Sequence, residues 1–509
     1  MMQAGTALWF ARHEWRLAWR DWISMMTAGR RERLPRALFA IALFVVFMHV
    51  VAYWIVGPYA DAVADKALLV MVSASIVLSF FLMISQAMES ATRAFYARSD
   101  LDLILSSPAP TERVFAVRMA TIALSVAMMA LPLAVPFIDV LMTRGGWRWI
   151  GAYGLILAMG AAATALALTA TVALFRTVGP KRTRFVAQVV AAVIGAAFVI
   201  GLQVAAILSY GTLSRISVVE SQTVIAHAPA LDSVVWWPAR AALGDGFALA
   251  CVVTLSLALL AVVIVLVAPR FGEYAITAAG VANSSAASAR RSAAFRSTSP
   301  RGALRRKEWL LLRRDPWLVS QTLMQMLYLI PPAVLLWHNF GDGNGAYQLL
   351  VPVLVMAAGQ LAGGLSWLAI SGEDAPDLVA TAPVPPRFIV QAKIEAVLGV
   401  IAVIFAPLLA VLAFASPWHA LVTGCGIVVA AGAAASIQLW FRTQAKRSQF
   451  RRRQVSSRVA TFAEAFSSIG WAATAAVAAA NLWLAVVPGM IALGVVAGAR
   501  FMSPRPQWA

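Results

Sequence analysis

Four carboxylates sit inside or at the edges of long apolar runs in this chain: Glu89, Asp139, Glu395 and Glu464. Placing an ionisable group in hydrocarbon is costly, so each is a candidate for holding a cation or relaying a proton. Glu89, Asp139 and Glu464 fall near the ends of their runs, where a carboxylate facing the membrane interface is the simpler reading. Glu395 follows Lys393 early in its own run, also close to a boundary. No succession of Asp, Glu, His or Arg crosses the middle of the membrane, which counts against ion-coupled transport. The histidines His13, His49, His227, His338 and His419 are scattered without metal-ligand spacing and are assigned no chemistry. Cys251 and Cys425 read as two small buried hydrophobes. There is no Gly-x4-Gly-Lys-[Ser/Thr] phosphate loop, no metal cluster and no nucleophile constellation. The chain is therefore expected not to be an enzyme and to bind no cofactor itself; any ATP would be hydrolysed by another chain.

The most informative residues form a repeat. Asp102 and Leu103, with Pro108 and Pro110, spell Asp-Leu-x4-Pro-x-Pro, and Asp377, Leu378, Pro383 and Pro385 spell it again. A second pair lies upstream: Glu14, Trp15, Arg20 and Asp21 are matched in spacing by Glu308, Trp309, Arg314 and Asp315. Glu308 follows Glu14 by 294 residues and Asp377 follows Asp102 by 275, so the copies run in the same direction. Internal repetition decides architecture, and here it implies two equivalent halves fused head to tail. Each Asp-Leu segment has a short potential helix with an acidic start, including Asp100 in the first copy and Asp374 in the second, stopped by Pro-x-Pro. Two related copies suit a partner that presents two equivalent sites.

The elements that must position these residues are membrane spans. A hydrophobic fraction of 61% with only 12% charged residues excludes a soluble domain of this length. The formal charge of +19 lies in short segments between apolar runs rather than on one face, which reads as orientation in a bilayer and excludes nucleic-acid binding. A span needs about 20 apolar residues. Such runs fall at 36–57, 68–90, 117–141, 150–175, 186–210 and 247–268, and again at 317–340, 349–370, 390–415, 420–441, 459–479 and 483–499. Pro132 and Pro136 should kink the third, and Gly359 with Gly363 would admit a close neighbour to the eighth.

Ahead of the first span, Trp15, Trp19 and Trp22 share one helical face and Arg12, Arg16 and Arg20 another. That is the pattern of a helix lying in the membrane interface. The segment containing Arg305, Glu308 and Trp309 is its counterpart in the second half. The N-terminus lacks the features of a cleavable signal peptide. Residues 269–301 form an Ala-, Ser- and Arg-rich flexible linker between halves at 1–268 and 302–509. The segment 211–246 is the large loop of the opposite side, with a short helix or re-entrant turn expected over 234–240. With both termini inside, all but Lys66, Arg144, Arg148, Arg215 and Arg240 of the 41 Lys and Arg fall inside, which places both Asp-Leu loops in the cytoplasm.

These segments, from Tyr96 and Arg98 through Pro110 together with the amphipathic helix before the first span, resemble the permease subunits of ABC-2 type ABC exporters. The resemblance extends over both halves. It implies six spans per half, an interfacial connecting helix at each start, and coupling helices at about 100–110 and 374–385 that dock on two copies of a nucleotide-binding ATPase subunit holding ATP and Mg. The second copy departs from the first around Gly372, Glu373 and Pro376. The expected protein is thus an all-α integral membrane permease of about 12 transmembrane helices in two parallel-repeat halves. It would sit in a bacterial inner membrane and export a substrate the sequence does not identify. An ion-coupled twelve-span secondary transporter is the alternative. A membrane enzyme acting on lipid-linked substrates has only Glu220, His227, Asp232 and Asp245 to offer in the 211–246 loop, without recognisable spacing.

Overall fold

In the computed structural model the described residues are 6–27, 34–60, 65–96, 110–210, 221–274, 276–277, 299–314, 326–327, 329–338, 346–371, 381, 383–441, 458–480 and 482–503. Every α or 3-10 segment among them is helical in the order the apolar runs require, and no strand occurs. The first part holds α1 (Ala7–Thr27), α2 (Leu34–Val56), α3 (Lys66–Tyr96), α4 (Thr111–Gly145), α5 (Gly151–Thr177), α6 (Pro180–Tyr210), α7 (Gln222–His227), α8 (Trp237–Ala242) and α9 (Gly246–Val267). The second holds α10 (Pro300–Arg314), α11 (Ile330–His338), α12 (Ala346–Ser371), α13 (Pro386–Ala415), α14 (Pro417–Phe441), α15 (Arg458–Ala480) and α16 (Val486–Met502).

Nine helices among the described residues are long and apolar enough to cross a membrane, and two shorter apolar ones, Ala42–Val56 and Val486–Met502, lie at the expected first and last spans. The chain therefore has the make-up of a multi-pass membrane protein. The surface agrees: Trp54, Val265, Phe414 and Phe501 are among many large apolar side chains left exposed. A soluble protein would bury them, whereas in lipid they cost nothing. Half of the expected seventh span lies outside the described residues; its described part, 326–327 and 329–338, includes α11. Pro132 and Pro136 lie within a helix that continues unbroken to Gly145.

Two compact units emerge, Met1–Leu202 with Arg215–Ser292, and Gln203–Ser214 with Ala293–Ala509. In the first, α5 is the central helix, with α3, α4 and α9 packed on it. Its small side chains explain this: Gly160 lies so close to α4 that an added Cβ would sit 2.7 Å from the Ala123 carbonyl. Met83, Ala87, Ala127, Ile156 and Ala163 fill the interior, joined by Ala187 and Ala191 of α6. In the second unit α12 is central, with α13, α14 and α15 around it. Trp367, Leu365 and Val355 are buried there against Phe405, Ala430 and Ala475.

The expected short helix over 234–240 is a 3-10 turn (Val234–Trp236) leading into α8. Beyond it Asp245 caps α9: its Oδ1 accepts from the amides of Phe247 at 3.0 Å and Ala248 at 3.1 Å, and Arg240 pairs with Oδ2 at 2.6 Å. The Ala248 amide foremost, and Arg240 with it, hold this carboxyl below its ordinary value. Asp245→Ala is expected to cost about 1 kcal/mol, as loss of a helix N-cap does. Because the folded value is depressed, that contribution is present above about pH 3.9 and fades as pH falls through the folded value. Unfolding midpoints of wild type and variant should therefore differ at neutral pH and converge in acid.

Candidate functional site

Asp100, Asp102, Leu103, Pro108, Asp374, Asp377 and Leu378 lie outside the described residues, as does Asp315. What the structure describes is where those loops are rooted. Pro110 is the N-cap of α4 and Pro385 that of α13, with similar backbone angles, φ −60° and ψ 115° against φ −54° and ψ 132°. Each proline carbonyl accepts from the amide three residues on, Arg113 at 3.0 Å and Phe388 at 2.9 Å. A proline has no amide to leave unpaired at a helix start, and it disfavours helix in the residue before it, so Pro-x-Pro delimits the loop and launches the next helix. Pro110, Pro383 and Pro385 are all exposed.

The amphipathic helices meet these same launching helices. Helix α1 packs on α4, and α10 packs on α13. On α1, Trp15 and Trp19 are exposed, as are Arg12, Arg16 and Arg20, and Glu14 is partly so; the Asp21 side chain is outside the described set. On α10, Trp309 keeps 44% of its surface exposed yet lies over Gly399 of α13, where an added Cβ would come within 2.6 Å of the indole. The Arg314 side chain is outside the described set.

Next to Trp309 in the chain, Glu308 is 1% exposed. Lys393 of α13 reaches both its carboxylate oxygens, at 3.0 and 3.1 Å, and Lys307 approaches at 3.3 Å. The Lys393 ammonium also donates to the Ala369 carbonyl at 2.6 Å, near the end of α12. Arg305 pairs with Glu395 through two nitrogens, one contact at 2.9 Å, and the Arg301 guanidinium lies 3.9 Å from the Phe388 ring centre. Thus one charged node ties α10, the start of α13 and the end of α12, the elements on both sides of the second Asp-Leu loop. A buried pair holds only when its hydrogen bonds are satisfied, and here all three ammonium protons have acceptors.

The first loop is rooted differently. Phe95 near the end of α3, Phe115 at the start of α4 and Phe271 beyond α9 are buried, with ring centres 4.7–6.4 Å apart, and Phe175 and Tyr274 complete the group. Such pairs add roughly 0.5–1.5 kcal/mol each beyond their buried area. Tyr96, the last residue of α3, donates its hydroxyl to the Pro180 carbonyl at 2.6 Å.

Glu464 corrects an expectation. Rather than facing the interface it is 3% exposed, accepts a hydrogen bond from the Gln438 side-chain amide, and presses on Gly363. One turn away Ser468 presses on Gly359 in the same manner, so the two glycines admit α15 against α12. Glu395 is half-exposed in its pair with Arg305, and Glu89 is half-buried. Asp139 accepts from the Tyr153 hydroxyl and meets His49, a histidine to which the sequence assigned no role. Cys425 is exposed rather than buried, and Cys251 is half-buried.

Lys393 was also missed, although a signal existed: a basic residue stands eight positions after the second proline in both copies, Arg118 and Lys393. No metal-holding group of His, Cys, Asp or Glu occurs among the described residues. No protein-family model matches the chain, and no curated protein matches it.

Proposed function

We propose that the chain is the membrane permease subunit of an ATP-driven ABC-2 type exporter. Its twelve transmembrane helices form two halves of six, and both termini and both Asp-Leu loops lie on the cytoplasmic side of a bacterial inner membrane. Two nucleotide-binding subunits dock on those loops and supply ATP hydrolysis, with ATP and Mg held on them. One observation carries this reading: in each unit an amphipathic helix packs on the helix launched from the Pro-x-Pro of the Asp-Leu repeat. A loop rooted in that way can pass a push from below into three helices at once.

The test is affinity purification from native membranes in mild detergent. An ATPase should co-purify at two copies per chain, in keeping with two equivalent sites. Asp102→Lys with Asp377→Lys is expected to abolish its recovery while the permease still inserts. Full transport by that double variant would remove the coupling assignment.

The second reading, an ion-coupled transporter, is favoured by Glu464, whose carboxyl is buried between helices. It requires the purified chain alone to move substrate under an ion gradient and Glu464→Gln to stop it.

A further inference from the structure

We propose that His49, Asp139 and Tyr153 form a proton-binding site that fastens α2 to α4. The three come from α2, α4 and α5, and His49 and Asp139 are 90 residues apart in sequence. His49 Nδ1 lies 2.8 Å from the Val45 carbonyl oxygen one turn back. A carbonyl only accepts, so Nδ1 carries a hydrogen. The other ring nitrogen, Nε2, faces Asp139 Oδ2 at 3.4 Å. In a neutral ring with Nδ1 protonated, Nε2 offers only a lone pair, and an ionised carboxylate offers only lone pairs back. Two acceptors facing each other repel, and one proton between them converts the contact into a hydrogen bond; the two side chains keep 34% and 39% of their surface exposed.

The proton has two resting places. It lies on Nε2, giving imidazolium beside carboxylate, or on Oδ2, giving imidazole beside carboxylic acid. Transfer between them leaves the pair's net charge at zero, and release to water leaves it at minus one. Tyr153 donates to the other carboxylate oxygen, Oδ1, which leaves Oδ2 to the histidine. Among the described residues, the other charged or titratable groups on these helix ends are engaged elsewhere. On α2, Tyr53 accepts from Arg144 of α4 at 2.9 Å, and Arg148 of the turn before α5 donates to the Ala60 carbonyl.

The proton matters because polar links between α2 and α4 are few among the described residues. Phe39, Leu43, Val46, Phe47, Val50 and Trp54 are exposed, and among the described residues the packing of α2 is chiefly on α4 and α1. The polar links described between α2 and α4 are His49 to Asp139 and Tyr53 to Arg144. Losing the proton turns one of them from attraction to repulsion. The site stands whether or not an ATPase binds the chain.

The test is nitrogen NMR of the full chain in lipid nanodiscs with histidine-selective 15N labelling, the His49 signals being assigned by their loss in His49→Gln. The wild-type ring is expected to show Nδ1 protonated and Nε2 in a shared-proton bond. In Asp139→Asn the shared-proton signal should be lost at every pH. A neutral ring protonated at Nε2 in the wild type would overturn the proposal with no variant needed. A shared-proton signal that survives Asp139→Asn would overturn it as well.

Discussion

Lys393→Met is expected to destabilise the second unit by about 3–5 kcal/mol, because it strands the Glu308 carboxylate in a site that is 1% exposed. Lys307, 3.3 Å away and partly exposed, offsets only a fraction. The Ala369 carbonyl loses its donor at the same time. The double variant Glu308→Gln, Lys393→Met removes both charges and should recover most of the loss, since replacing a buried pair by neutral groups of similar volume is often close to neutral. Thermal unfolding in detergent, followed by tryptophan fluorescence, reads all three. If single and double variants fall equally, the pair contributes nothing as a pair. The double variant also separates stability from coupling: an ATPase that still co-purifies but no longer drives transport would place the node in transmission rather than in docking.

The second large effect is at Gly363. An added Cβ would lie 2.0 Å from the Glu464 carboxyl carbon and 2.1 and 2.5 Å from its oxygens. Although that carboxyl ends a flexible side chain, it is buried and bonded to Gln438, so moving it breaks the bond and finds no water to replace it. Gly363→Ala should cost about 1–3 kcal/mol, as overpacking does, and Gly363→Leu should separate α12 from α15. Gly424→Ala is the control, with nothing within 4 Å of its added Cβ. Combining Gly363→Ala with Glu464→Ala removes the collision, so the double should be more stable than the two single losses sum to. Strict additivity would show that the glycine is there for another reason.

Much of this architecture was legible because helix length and hydrocarbon thickness are linked, so apolar runs announce themselves. The first expected span lies within α2, which carries Arg36 in its first turn, and the last corresponds to the 17-residue α16. The repeat found Glu308 but not its burial: a charged amphipathic helix reads as solvent- or headgroup-facing, and the lysine that permits burial is 85 residues away. The His49 contact was illegible for a related reason. His49 lies seven residues before the end of α2 and Asp139 six before the end of α4, so the two match in depth only once both helices are known to run side by side. Glu464 was misread because nearness to a helix end does not mean nearness to water when a glycine of the neighbouring helix makes room for it.

The two loop roots also differ in how they can drift over generations. A cluster such as Phe95, Phe115 and Phe271 changes by small steps, since a leucine or methionine in one place keeps most of the buried area. Glu308 and Lys393 have no half-way state, because either change alone strands the other. The aromatic root is therefore free to change one residue at a time, while the ionic root can move only by paired substitution.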